Sequence, residues 1–405
     1  MRFRWALCAS LALVLFWTNL GPVAAAESAI SVLPGLEGAV RFWKEIFIRY
    51  GAADVVFFDP LDHEKIYSVL RIPDTEEGRA FIERERARIL ASYNLNAEDG
   101  RVKTQRGVKE QFIFGLKISG RYVAQMRQIF RSEGLPEELA YLPLVESSFN
   151  VRARSSAGAV GLWQFMPDTG KKLLRIADGV DERRDPLAST RAAARLLAEN
   201  RKLFGNWPLA ITAYNHGTEG IFRAIDRVGT RDLVEIIRRY QSPTFGFASQ
   251  NFYAEFKAAV DIARNREVHF PFLRPHPPLN LREIEIKRPV PIQSVLGPAA
   301  VSQSDFFEWN PALNPASKMI PAGYRVKVPP EKAGRFAFLQ QNGFDKRAME
   351  KSGTVTMRRA ARGARRQPAA KNKERSVSLA RTRPGQGRST NKPATAVRRI
   401  QIASR

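Results

Sequence analysis

Apolar residues recur at helical spacing through most of the chain. Val40, Trp43, Ile46 and Phe47 form one stripe between Gly38 and Tyr50. Phe81, Ile82, Ile89 and Leu90 form a second between Asp74 and Tyr93, so residues 27–105 are predicted to be mainly helical. The run Val55-Val56-Phe57-Phe58 between them reads as a short strand or an insertion. A helix is predicted from about Tyr122 to Arg131, and the next starts at Pro136 with Glu137 and Glu138 behind it. Its apolar face, Leu139, Leu142 and Val145, ends beside Glu146. Ser155 to Pro167 is rich in small residues that allow close backbone approach, and Pro167-Asp168-Thr169 starts another helix. Ser189 and Thr190 are predicted to cap a helix over Arg191–Leu203. Leu209–Asn215, Ile221–Val228 and Phe247–Arg264 complete a helical block that closes near residue 270.

Beyond it the pattern changes. Pro271 to Pro278 forms a proline-rich linker. Ile284–Lys287 and Tyr324–Val328 alternate as strands and bracket a helical stretch, Val301 to Trp309, which makes a small α+β module. After about residue 351 large apolar side chains are scarce, and the composition predicts disorder. The expected segments are therefore 1–26, 27–105, 106–270, 271–280, 281–335 and 351–405.

Charge and export signals sharpen this map. The net charge is +25 over 405 residues, and residues 351–405 hold 16 lysines and arginines against one acid, Glu374. Arg2 and Arg4, the apolar run Trp5–Leu20 and Ala24-Ala25-Ala26 read as a secretory signal, so the mature chain is expected to start at Glu27. An exported, periplasmic or envelope-associated protein follows. Cys8 is the only cysteine and lies inside that signal, which excludes disulfides and a cysteine nucleophile from the mature chain. His63, His216, His269 and His276 are scattered without metal-ligand spacing, and no cofactor is implied. A basic tail ordinarily suggests nucleic acid; export redirects it to anionic envelope polymers or a membrane surface.

Glu146 is the candidate for chemistry. A carboxyl at a helix end among apolar neighbours disfavours its charged form, as a general acid near neutral pH requires. Asp168, Asp181, Glu182 and Asp185 follow within about forty residues; Asp168 suits a helix start, and the other three form a charge-paired loop with Arg183 and Arg184. Asp185 is the choice for a second carboxylate if the protein is a hydrolase.

Three blocks carry a resemblance: Glu146-Ser147-Ser148-Phe149-Asn150, the stretch Ser155–Pro167, and Ala213-Tyr214-Asn215-His216-Gly217. In this order they resemble the signature blocks of the soluble-lytic-transglycosylase family. With the Asp181–Pro186 run and Gly246-Phe247-Ala248 before Asn251-Phe252-Tyr253, the pattern is similar to the membrane-bound lytic murein transglycosylase D type. The resemblance implies a mainly α protein whose lysozyme-like helical catalytic domain carries a helical amino-terminal extension. It implies cleavage of peptidoglycan between N-acetylmuramic acid and N-acetylglucosamine, without water, to a 1,6-anhydro end. On that basis Glu146 is the general acid and then base, and Tyr214 contacts the reacting centre or orients Glu146. Ser155 and Gln164 bind sugar, Met166 and Trp163 line the groove, and Asn215 holds the turn that positions Tyr214. Residues 281–335 are similar to a degenerate LysM sugar-binding module, through Trp309-Asn310-Pro311 and Ile320–Tyr324. His216 departs from the family, which often has a small residue there.

Overall fold

Val55-Val56-Phe57-Phe58 explains the first departure from expectation. The computed structural model describes residues 30–334 and residue 336. Within it these four residues lie in strand β1 (Asp54–Asp59), the middle of a three-stranded antiparallel sheet. The partners are β2 (Asp62–Arg71) and β3 (Lys103–Arg106). Alternate side chains of a strand point to opposite faces. Here Val56 and Phe58 join the main core, while Val55 and Phe57 join a small cluster with Ile72, Ile89 and Val102. Burial on both faces requires an unbroken apolar run, which hides the strand period. The expectation of a mainly helical region over 27–105 is corrected accordingly. Its two helices do form, as α1 (Glu37–Ile48) and α2 (Glu76–Ser92), the latter capped by the Thr75 side chain, which accepts from the Gly78 N–H.

The helical block follows as α3 (Lys109–Ser119), α4 (Val123–Ser132), a 3-10 turn over Glu137–Tyr141, α5 (Leu142–Ser147) and α6 (Pro167–Leu173). A two-residue hairpin, β4 (Ile176–Ala177) and β5 (Val180–Asp181), precedes α7 (Pro186–Phe204). The chain continues through α8 (Trp207–His216), α9 (Thr218–Val228), α10 (Leu233–Arg239), α11 (Phe247–Arg264) and α12 (Arg266–His269). The described residues are mainly α. Helix α7 starts earlier than expected: Asp185, not Ser189 or Thr190, is the cap and accepts from the Leu187 and Ala188 N–H groups. The two hydroxyls instead donate to main-chain carbonyls one turn back, at Asp185 and Pro186.

Helix α11 runs through the centre, with Phe252, Tyr253, Phe256, Ala259 and Ile262 all buried. Helix α1 packs along it. The Trp43 indole N–H donates to Asn251 Oδ1 at 2.9 Å, and the Tyr253 hydroxyl donates to the Ser31 carbonyl at 2.6 Å.

The linker 271–280 contains no helix or strand but is strapped to the α3–α4 corner. The His276 N–H donates to Lys117 O and the Leu279 N–H to Arg121 O. The small module then forms from β6 (Arg282–Glu285), β7 (Val290–Pro291), α13 (Ile292–Ala299), α14 (Gln303–Trp309), β8 (Met319–Ile320) and β9 (Arg325–Val328). Strand β6 pairs with β9 and β7 with β8, both antiparallel. Its own core includes Ile292, Leu296, Phe306, Ile320, Tyr324 and Val326. The module is tied to the helical block by Asp181 N–H to Ala312 O, Asn314 N–H to Gly179 O and Arg175 to Ala322 O, each at 2.8 Å. Lys327 forms a buried ion pair with Asp185 across the same seam. A small cavity of about 30 Å³ opens there, lined by Tyr122, Leu187, Leu279, Trp309 and Pro311 among others. Among the described residues no helix is long and apolar enough to cross a membrane. The expected signal 1–26 and basic tail 351–405 lie outside the described residues.

Candidate active site

Glu146 sits in the last turn of α5, a short helix whose six residues are all buried. The helix expected from Pro136 begins as the 3-10 turn, because Pro143 has no N–H to offer an α-helical bond and settles in the first turn of a new helix instead. It stops abruptly. Ser148 and Phe149 both adopt left-handed backbone, with φ of 50° and 55°. Such conformations cost non-glycine residues about 1–2 kcal/mol each, and they concentrate at functional sites. The reversal brings the Ser148 backbone against α3 at Gly115, where an added Cβ would lie 3.1 Å from it. Glu146 is only 3% exposed.

The loop that follows is folded tightly against α5. Ser147 donates from its hydroxyl to the Leu162 carbonyl at 2.8 Å. The next carbonyl, of Trp163, accepts from the Tyr214 hydroxyl of α8 at 2.7 Å. Two successive peptide units therefore join the Glu146 helix to the Tyr214 helix. Gly161, with φ of 80°, makes this possible: a Cβ there would meet the Arg183 carbonyl at 1.9 Å. Arg183 clamps the loop from outside. Its guanidinium donates to the Gly158 and Phe165 carbonyls and pairs with both oxygens of Asp181.

The expected sugar-binding residues divide. Gln164 is buried, has a left-handed φ of 48° and donates from Nε2 to the Gly161 carbonyl at 2.8 Å; its Oε1 meets no hydrogen-bond partner among the described residues. Met166 is 38% exposed. The Ser155 hydroxyl accepts from the Ala159 N–H at 3.0 Å, so it closes the small-residue turn. Trp163 is a correction. It is 0% exposed, donates to the Thr190 hydroxyl and packs against Phe130 and Tyr214, so it fills the core beneath the loop and lines no groove. Large aromatics are commonly interior, and only tertiary packing decides which are.

Asn215 accepts from the Ser249 hydroxyl at 3.1 Å, and the same hydroxyl lies 3.2 Å from His216 Nδ1. These contacts fasten the end of α8, terminated at Gly217, to the first turn of α11. Gly220 leaves room for the His216 ring, since a Cβ there would approach it within 2.3 Å. Burial lowers the His216 pKa, helped by the nearby Arg223 charge.

The loop acids are engaged. Asp181 is held by Arg183, Glu182 accepts from the Arg175 N–H, and Asp185 caps α7 while pairing with Lys327. Asp185 is thereby a structural residue and is withdrawn as the second carboxylate. The acid that does lie near Glu146 is Glu255 of α11, which was not anticipated. It is 3% exposed; burial, and then the Glu146 charge, push its carboxyl well above the usual carboxylate range. One sequence signal could have found it: an acid set between Phe252-Tyr253-Ala254 and Phe256, with apolar residues on both sides of it in a long helix.

Residues 126–237 match the transglycosylase SLT domain. The chain is 41% identical over 97 residues to membrane-bound lytic murein transglycosylase D of Escherichia coli K12, covering 24% of this chain and 22% of that protein. It is 40% identical over 83 residues to the transglycosylase of Enterobacteria phage PRD1, covering 20% of this chain and 29% of that one. The chain thus spans less than a third of the length of either relative. The 70-kDa soluble lytic transglycosylase of Escherichia coli aligns over 36% of this chain and 24% of its own, with 20% identity and a TM-score of 0.31.

Proposed function

We propose that this chain, which through residues 126–237 belongs to the transglycosylase SLT family, is a peptidoglycan lytic transglycosylase with Glu146 as its acid and base. The reading rests on one observation above the rest. The acids of the 168–185 loop are exposed or committed to cations and amides, whereas Glu146 is buried at the meeting point of α5, the 155–165 loop and α8. A hydrolase of the usual kind needs an ionised second carboxylate as nucleophile or to activate water. Glu255 is buried with its carboxyl pushed well above the usual carboxylate range, which disfavours the ionised form either role requires.

In the reaction, the Glu146 carboxyl gives its proton to the glycosidic oxygen between N-acetylmuramic acid and N-acetylglucosamine as the C1–O bond breaks. The positive centre is stabilised by the substrate's own N-acetyl group. The Glu146 carboxylate then removes the C6 hydroxyl proton while O6 closes on C1. An internal hydroxyl has a high effective concentration, so no activated water is required. Tyr214 and Gln164 position the site, and Met166 provides contact surface for sugar. The 281–335 unit is assigned as a LysM-like sugar-holding module, a role supported by Tyr122 and Trp309 at the seam cavity. Export to the envelope, and attraction of the 351–405 tail to anionic polymers or headgroups, complete the reading.

Digestion of purified sacculi followed by mass analysis tests it. Anhydromuropeptides, lighter by one water than hydrolysis products, are expected; reducing-end products would overturn it. Glu146→Gln should abolish release while the far-ultraviolet circular dichroism stays unchanged.

A further inference from the structure

Arg183 stands between the small module and the loop at the candidate site. It is buried, and its guanidinium grips on two sides. Nε and Nη2 donate to the two oxygens of Asp181 at 2.9 and 2.8 Å. Nη1 donates to the Gly158 carbonyl at 3.2 Å and to the Phe165 carbonyl at 3.3 Å. Those two carbonyls bracket the stretch that meets both site helices, since Leu162 O accepts from Ser147 of α5 and Trp163 O from Tyr214 of α8. The same stretch holds Gln164 in left-handed backbone. Such a conformation persists only where its surroundings over-determine it, and the Arg183 clamp is one of those constraints. A planar guanidinium can take a carboxylate along one edge and reach two carbonyls with its remaining nitrogen. An ammonium is a compact point charge without that fork.

The module sets Arg183 from the other side. Hairpin β4–β5 has only two residue pairs, and a two-stranded hairpin by itself is marginally stable. Val180 is 3% exposed, belongs to the module's core and forms a bridge with Leu313. The Asp181 N–H donates to Ala312 O, and Gly179 O accepts from the Asn314 N–H. The module therefore holds the Asp181 backbone while the Asp181 carboxylate holds Arg183. An unbroken line of contacts runs from Ala312 through Asp181 and Arg183 to Gly158 and Phe165.

We propose that Arg183 is a positioning residue for the reaction and that the small module, by fixing Asp181, sets it. With the module seated on the hairpin, the 155–165 loop is held in the shape that joins α5 to α8. The module thereby supports catalysis from within the same chain, apart from any sugar it holds itself. Neither Arg183 nor the module supplies a reacting group; both act through the loop.

This inference rests on the transglycosylase reading, so one arm of its test does not use activity. In that arm, hydrogen exchange of the full chain is followed peptide by peptide. Arg183→Lys loses the fork, and Val180→Asp places a charge where the hairpin meets the module's core. Both should speed exchange over residues 155–165 by about tenfold or more, while α11 exchanges as in wild type. Val180→Ile should leave the loop as it is. Unaltered loop exchange in Val180→Asp, or a rise spread evenly over the helical block, overturns the proposal. In the second arm, Arg183→Ala should lose about tenfold to a hundredfold in kcat on soluble glycan fragments, the cost of a slightly misplaced site. KM should change little, because Arg183 acts only through the loop. Guanidinium ion at low millimolar concentration should restore part of the rate, and ammonium should not. A folded Arg183→Ala variant with the wild-type rate, or equal rescue by both ions, overturns the proposal. Should exchange behave as expected while the wild type yields no anhydromuropeptide, the coupling stands and the assignment of the reaction falls.

Discussion

Replacing Lys327 by Met tests what holds the small module to the helical block. The two side chains of the pair are 7% and 2% exposed, for Lys327 and Asp185. Removing one partner of a buried ion pair costs about 3–5 kcal/mol, because the other is left charged and dry. Two details favour the lower end. Asp185 keeps the Leu187 and Ala188 N–H donors, and Glu283, 3.6 Å from the Lys327 ammonium, keeps Arg191 and Arg325. A loss of about 3 kcal/mol is therefore expected in urea unfolding at equilibrium. Asp185→Asn retains the carbonyl oxygen that caps α7 and leaves Lys327 its contact with Glu283, so about 1–3 kcal/mol is expected. The double variant should cost less than the sum, with a coupling of at least about 1.5 kcal/mol. Additive losses would refute the claim that the pair fastens the seam. Asp185→Asn should also retain sacculus cleavage; its loss with the fold intact would return Asp185 to the catalytic candidates.

Gly161→Ala should destabilise the protein by about 3 kcal/mol or more, since it combines a left-handed residue with a backbone collision; a melting temperature within a degree or two of wild type would contradict this. Burial lowers the pKa of His63 as well as that of His216. The unfolded chain then takes up protons that the folded one refuses, so the stability these groups contribute is full above about pH 6.5 and is lost as pH falls through the two values. His216→Gln should therefore reduce the stability difference between about pH 7.5 and pH 5, measured by urea unfolding. Deleting residues 351–405 should weaken retention on anionic vesicles at low salt, and the gap between the two proteins should close toward about 1 M salt; a salt-independent gap would exclude charge as the cause.

The helices were legible wherever amphipathic spacing coincided with a terminator. Phe247–Arg264 and the end of α9 before Gly229 follow from periodicity and caps. Of the sheet only β1 was legible, as the short-strand reading of Val55–Phe58; β2, largely polar, and the four-residue β3 were not. Helices α10 and α13 were also missed; α10 has only seven residues, too few to show a period. Glu146 and Tyr214 stand out in the sequence because both lie in distinctive local blocks, and the fold joins their two helices through the 155–165 loop. The part played by Trp163 was not legible, since burial is decided by what α7 and α4 bring to it. Glu255 escaped for a related reason: attention to acids close in sequence to Glu146 passed over one delivered by a helix about a hundred residues away.

The SLT match stops at residue 237, but the packing around Glu146 does not. Helix α11 packs against α5 and α8 and is buttressed by α1 through Trp43 and Asn251. A fragment trimmed to the matched boundary would lose Glu255 and bare the apolar sides of α5 and α8. A piece that keeps the packing around Glu146 must run from before Ser31 to beyond Arg264, so the amino-terminal segment serves as the foundation of the helical block.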